Sequence, residues 1–327
     1  MRAEKVIGID VASESLTVSI YDGKVHHVEE LSYTKASINK ILIKPFINQK
    51  EQIVIVMEGT GVYHTRVAHQ LANENFKVCV VNPLIIKRYI QMHLSRIKTD
   101  KSDAKLIAEY GYEHQRKLSY FMPKKEEQIH VDNLIKALDD LLIQKGVCTS
   151  QYHALTKQAN YSKEAAKSYQ RLKEFLQKEI RKLELYLDNY LSTYFSTHYT
   201  LLQSIPGVGL KISATILSTY GSFENFQNAK QACSFAGMAP SIYESGTSVK
   251  GKSSISKRGN PFIRKMLFMG ALSASTYNPL VKQHYKRLIA NGKPKMSAMN
   301  ASAHKLLRII FGVLKSGKPF EINYVRS

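Results

Sequence analysis

The chain has 327 residues, with 47 Lys+Arg against 26 Asp+Glu and a formal net charge of +21. At 44% hydrophobic and 22% charged residues it has the composition of a folded protein, and its length suits two domains with a spacer between them. No apolar run approaches the roughly 20 residues of a membrane span. The start of the chain runs straight into a strand pattern without a signal-peptide core. Cys79, Cys148 and Cys233 form no close pair that would build a disulfide framework or a zinc knot.

These features predict a cytoplasmic protein. The charge excess predicts a polyanionic partner, nucleic acid ahead of an anionic membrane. The excess is uneven: Pro240 to Ser327 holds 16 Lys+Arg against Glu244 and Glu321 alone.

In chain order, Lys5–Asp10 reads as a buried strand, Leu16–Tyr21 alternates as a second, and Asp22-Gly23 is a hairpin turn leading to a third over 25–33. Helical spacing over 37–46, with Ser37 as N-cap, precedes the apolar strand 52–57 that ends at Glu58. A helix over 64–73, a strand over 76–81 and helices over 84–92 and about 101–114 follow. The order β-β-β-α-β-α-β-α is that of a ribonuclease H-like domain.

Between 125 and 197 the strand patterns vanish. Leu134, Leu138, Leu141 and Leu142 form one apolar stripe, and Leu172, Phe175, Leu176, Ile180, Leu183 and Leu187 another. A break over 160–163, with Ser162 as a cap, separates two long helices expected to form an antiparallel hairpin or coiled coil. The remainder is compact and mainly helical. The expected division is 1–120, an α/β ribonuclease H-like domain; 121–197, a helical coiled-coil spacer; and 198–327, a mainly helical C-terminal domain.

Asp10 ends the first strand and Glu58 ends the strand predicted to lie beside it. Asp100 and Asp103, three residues apart, open a helix and point the same way. Each acid has a plain structural reading, as a turn or N-cap residue or a first-turn acid favoured by the helix dipole. Together they suit hard divalent ions, which take carboxylate oxygens and substrate phosphate. A pair of such ions can stabilise both the attacking and the leaving oxygen of a phosphodiester displacement.

The stretches Ile7-Gly-Ile-Asp10-Val-Ala, Met57-Glu58-Gly-Thr-Gly-Val-Tyr63 and Lys98-Thr-Asp100-Lys-Ser-Asp103-Ala resemble the RuvC-like catalytic domain of the DEDD transposases of insertion-sequence family one-hundred-ten. The resemblance covers nearly the whole chain. It implies that Asp10, Glu58, Asp100 and Asp103 are the acidic tetrad, holding Mg²⁺ or Mn²⁺.

Pro206-Gly-Val-Gly209 between helical patterns reads as the hairpin of a helix-hairpin-helix, with a plain helical turn as the alternative. Gly207, Gly209 and Lys211 would then meet phosphate. Gly246 to Ser253 satisfies the P-loop pattern Gly-x-x-x-x-Gly-Lys-Ser, but the stretch before it is no buried strand and the stretch after it no apolar helix. Its basic residues Lys250, Lys252, Lys257 and Arg258, with Arg264 beyond, are instead expected at nucleic acid. Lys265 is expected to face phosphate or solvent, and the final helical segment, 305–318, to carry a basic face.

A serine flanked by glycine in such a loop can act as a nucleophile. Spacing does not choose among Ser241, Ser245, Ser248, Ser253, Ser254 and Ser256. The resemblance implies Ser245, attacking DNA to form a covalent intermediate. It further implies donor and target DNA and a noncoding guide RNA (a bridge RNA) as partners, a homo-oligomer (dimer or tetramer) and a place at the bacterial nucleoid. Two other readings use the same residues. One is a RuvC-like structure-specific endonuclease, or resolvase, in which water attacks. The other is a nucleic-acid-binding protein without catalysis.

Overall fold

The computed structural model describes residues 3–59, 61, 63–93, 99–241, 244–245, 249–250, 254–255 and 259–322. They form two compact units, divided between Lys124 and Lys125.

The first unit is built on a five-stranded sheet. Its strands are β1 (Lys5–Val11), β2 (Ser15–Tyr21), β3 (His26–Ser32), β4 (Ile53–Glu58) and β5 (Lys77–Val81), in the spatial order β3-β2-β1-β4-β5. The first three form an antiparallel meander, whereas β4 is parallel to β1 and β5 to β4. Helices α1 (Lys35–Ile38), α2 (Tyr63–Asn73), α3 (Pro83–Met92) and α4 (Asp100–Glu113) complete the expected element order.

Alternation along the strands sorts the side chains onto two faces. Ile7, Ile9, Ile55 and Met57 join Ile38, Leu42, Val67 and Leu71 in one core. Val6, Val54, Val56 and Cys79 join Ile86 and Ile107 in the other. The first helix departs from expectation. Thr34, not Ser37, is its N-cap, accepting a bond from the Ser37 amide, and after one turn the chain widens into a π-helical segment over Asn39–Ile43 and then tightens into a 3₁₀ turn over Lys44–Phe46. Pro45 lacks an amide proton, which ends regular α-helical bonding there.

The second unit begins with two long helices, α5 (Glu126–Thr156) and α6 (Lys163–Tyr194), packed against each other. Ser162 caps α6 through the Ala165 amide, as expected. Next come α7 (Ser196–Gln203), α8 (Leu210–Tyr220), α9 (Ala229–Phe235), four two-residue strands β6 (Pro240–Ser241), β7 (Glu244–Ser245), β8 (Val249–Lys250) and β9 (Ser254–Ile255), and helices α10 (Pro261–Tyr277), α11 (Pro279–Ala290) and α12 (Lys295–Ser316). One apolar core runs from Val131, Ile135, Leu138, Ile180 and Leu187 at the base of the helix pair through Ile216, Phe223, Leu267 and Leu306. No helix among the described residues is long and apolar enough to cross a membrane.

Candidate active site

The first unit assembles the acids by simple geometry. The parallel ladder ends at Ile9 opposite Met57, so Asp10 and Glu58 each stand one residue beyond the same rung. By alternation they share the face of Val6, Gly8, Val54 and Val56, which α4 covers. Gly111 of α4 lies over Val6 and Val56, and Ala104 and Ala108 lie over Gly8. The helix therefore runs against the strand direction, and its first turn arrives over the end where Asp10 and Glu58 emerge.

Gly8 makes this approach possible. A Cβ there would stand 2.4 Å from the Ala108 amide nitrogen and 2.5 Å from the Ala104 carbonyl oxygen. The start of α4 is fixed by a reciprocal cap. Thr99 Oγ1 accepts from the Ser102 amide at 3.2 Å, and Ser102 Oγ accepts from the Thr99 amide at 3.0 Å. Asp100 and Asp103 sit in that first turn, where the positive end of the helix dipole favours carboxylates.

The electrostatics of Asp10 record the convergence. Burial, followed by the negative charges of Asp100, Asp103 and Glu58, pushes its carboxyl up to about 6. Asp100, Asp103 and Glu58 thus all act on Asp10 at one end of the sheet. Among the described residues, no three His, Cys, Asp or Glu side chains form a group placed to hold one metal ion. The donor chemistry fits a hard divalent cation nonetheless: all four groups are oxygen donors, and their mutual repulsion is what a cation relieves.

Ser245 belongs to the second unit. The backbone around it forms a nested antiparallel hairpin: Pro240 pairs with Ile255, Ser241 with Ser254, Glu244 with Lys250 and Ser245 with Val249. Only residues 246–248 separate the inner two strands. The base of this hairpin is a backbone-to-backbone clasp. A Cβ on Gly237, whose φ is +69°, would stand 2.4 Å from the Gly259 nitrogen, and one on Gly259 would stand 2.2 Å from the Phe235 carbonyl oxygen. Arg264 closes the clasp, its Nη1 donating to the carbonyls of Ala236 at 3.1 Å and Gly259 at 2.6 Å.

Arg264 and Lys265 also make internal contacts: Arg264 Nη1 bonds backbone carbonyls, and Lys265, though exposed to solvent, pairs with Asp139 at 2.6 Å. Lys211 is paired with Glu184 at 2.9 Å. Gly207 (φ +95°) presses its backbone on α10, where an added Cβ would come within 2.6 Å of the Ala274 Cα, whereas Gly209, the N-cap of α8, has open space beside it. Lys250 lies in β8, while Lys252, Lys257 and Arg258 fall outside the described residues.

Reading the sequence missed Gly8, the cap formed by Thr99 and Ser102, and the clasp between Gly237 and Gly259. The cap had a visible signal, a polar residue three positions after a threonine at a helix start. The glycine contacts had none, because their partners are remote or non-periodic.

Comparison with known proteins places this pairing of an acid-bearing α/β unit with a helical unit among the transposases. Residues 7–160 match a family model described as a transposase of the DEDD type, and residues 199–286 match one described as a transposase of the IS116/IS110/IS902 family. The chain is 31% identical to the pilin gene-inverting protein of Moraxella lacunata over 82% of its own length and 81% of the relative's. The corresponding protein of Moraxella bovis is likewise 31% identical over the same shares. The transposase for insertion sequence element IS1111A of Coxiella burnetii is 23% identical over 83% of this chain and 78% of its own. The chain belongs to the IS110 family of transposases and is a DNA transposase/recombinase enzyme.

Proposed function

We propose that this transposase moves its own insertion element by cutting and rejoining DNA through a covalent serine–DNA intermediate, assisted by the acidic tetrad and guided by a noncoding bridge RNA. The observation that carries the acidic half is the joint action of Asp100, Asp103 and Glu58 on Asp10. The division of labour follows the three-part organisation of the sequence: a ribonuclease H-like, RuvC-like domain over 1–120, a coiled-coil spacer over 121–197 and a C-terminal domain with a helix-hairpin-helix over 198–327.

In the proposed step the Ser245 hydroxyl oxygen attacks a DNA phosphorus. A serine Oγ–phosphorus bond forms, one bond from phosphorus to a deoxyribose oxygen breaks, the serine proton leaves, and the departing oxygen takes up a proton. The reverse displacement by a deoxyribose hydroxyl frees the serine and rejoins the strand. Because one phosphoester replaces another, rejoining needs no nucleotide cofactor. Attack by water would cut without conserving that bond.

The gene-inverting relatives favour the conservative route, since inverting a DNA segment requires both breakage and rejoining. The hairpin supports the role of the serine, because Ser245 ends its inner strand and Gly237 and Gly259 meet at its base. Asp10, Glu58, Asp100 and Asp103 are the residues that would hold Mg²⁺ or Mn²⁺. When bound, such an ion supplies charge stabilisation at the phosphate. Lys250, Lys252, Lys257 and Arg258 lie in the same basic loop, where cations offset the charge developing on the attacked phosphate. Gly207 and Gly209 belong to the helical turn proposed to meet the backbone. The chain works as a homo-oligomer in the cytoplasm, at the nucleoid.

The test is a labelled DNA substrate with Ser245→Ala. Wild type is expected to give a protein–DNA adduct on denaturing gels and joined product. The variant is expected to give neither while still binding DNA and RNA. Normal joining by the variant removes the serine from the chemistry. Cleavage without an adduct in wild type, dependent on the acids, is the signature of a RuvC-like structure-specific endonuclease using water.

A further inference from the structure

From Gly259 to Phe320 the sequence contains no acidic residue, while Arg264, Lys265 and nine further Lys or Arg fall within it. Arg264 and Lys265 are neutralised or tied down internally. The others concentrate on the packed hairpin of α11 and α12. His284 of α11 is the focus of one face. Its ring nitrogen stands 3.3 Å from an Arg287 guanidinium nitrogen. Burial first, and then the charges of Arg287, Lys305, His304 and Lys293, hold its pKa below the usual histidine range. His304, one turn before Arg308 on α12, is held down by burial and by that arginine.

Six basic side chains from two helices and the connecting turn thus converge with no acid offsetting them. None of the ion pairs among the described residues involves Arg287, Lys293, Lys305 or Arg308. Arg287, Lys293 and Arg308 are exposed. Such an arrangement costs the fold stability through self-repulsion, a cost that a bound polyanion relieves.

We propose that the α11–α12 hairpin, through Arg287, Lys293, Lys305 and Arg308 with His284 and His304 between them, is a docking surface for the phosphate backbone of duplex DNA, separate from the serine loop and the turn at Gly207. This rests on the reading of the chain as a DNA recombinase. Two features favour a duplex backbone over a compact anion. Lys295 to Arg308 spans about 20 Å at the rise of an α-helix, and a duplex carries one charge per roughly 1.7 Å of axis, so several phosphates fall within that reach. Three of the four cations, Arg287, Lys293 and Arg308, are also exposed, as contacts along an extended backbone require. Contacts of this kind position DNA without reading its sequence.

The experiment measures affinity of the full chain for a duplex DNA, a single-stranded RNA and phosphatidylserine vesicles across a salt series. It compares wild type with the combined variant Arg287→Gln, Lys293→Gln, Lys305→Gln, Arg308→Gln. The variant is expected to bind duplex at least tenfold more weakly. Its dependence of log K on log salt should be shallower by about 3.6, because each of the four phosphate contacts contributes roughly 0.9. If the fourfold variant does not fold, the pair Lys293→Gln, Lys305→Gln is expected to lower the slope by about half as much, and Lys293→Arg, Lys305→Arg to restore it. Unchanged duplex affinity and slope overturn the proposal. So does a loss confined to RNA or to vesicles. Ser245→Ala, run alongside, separates this surface from the chemistry: it is expected to bind as wild type, and strand joining by that variant would fail the serine reading alone.

Discussion

Asp10 is ionised at neutral pH against three neighbouring carboxylates in a partly buried position, and the fold bears that cost. Its folded pKa, about 6, lies above the ordinary carboxylate value. Protonation therefore favours the fold. The stabilising contribution of the proton is complete below about pH 4 and is lost as pH rises through 6. Asp10→Asn removes the penalty where it is largest. Allowing for solvent screening, the variant should be more stable than wild type by on the order of 1 kcal/mol at pH 7.5, and the gain should vanish near pH 4. Thermal melts at the two pH values check this. Mg²⁺ should raise the wild-type midpoint at pH 7.5 and leave that of Asp10→Asn nearly unchanged. A cation-insensitive wild type would argue against the carboxylates as its ligands.

At the scale of elements, the acids are placed by the seating of α4 on β1 and β4, and Gly8 is the residue that permits it. Gly8→Ala puts a methyl group into the backbone of Ala104 and Ala108. It should cost about 2–3 kcal/mol and lift the first turn of α4 away from the strand ends. Asp10 should then titrate closer to an ordinary carboxylate, which NMR titration of its side chain would detect. Gly207→Ala carries a comparable penalty on a separate element, since it combines a positive φ with a clash on Ala274. Chemical denaturation of both variants measures these losses.

Much of this was legible in the chain itself. The apolar runs Lys5–Asp10 and 52–57 marked two buried strands with an acid at the end of each, and Asp22-Gly23 marked the turn, where Asp22 Oδ1 accepts from the Lys24 and Val25 amides. The segment after Thr34 was not legible, because helical spacing does not distinguish α from π winding and the cap lay three residues before the one expected. The internal bonds of Arg264 were illegible for a different reason: its acceptors include a carbonyl 28 residues away, and a basic residue in a basic stretch carries no mark of such a bond. The serine was distinguishable from its neighbours only through the family resemblance, since six serines share similar surroundings.

Over the whole molecule the governing quantity is the net charge of +21. Mutual repulsion of that size is screened by salt over a Debye length of roughly 10 Å at 0.1 M. The midpoint of unfolding should therefore rise by several degrees between 50 and 500 mM NaCl, whereas affinity for DNA should fall over the same range. Calorimetry and anisotropy on one preparation test the opposed trends. The three thiols are buried; burial pushes Cys79 up to about 12 and Cys233 up to about 11, so both should resist alkylation until the chain is denatured.

The clasp of Gly237 on Gly259 has a further consequence for how the protein can be taken apart. Since Gly237 and Gly259 meet backbone to backbone, exchanging the residues between them need not part the two ends. Replacing residues 240–258 with a short flexible tether should yield a soluble, cooperatively melting scaffold that has lost strand transfer yet keeps its cationic helices. Grafting the same segment from another member of the family onto that scaffold would then show whether its chemistry is portable.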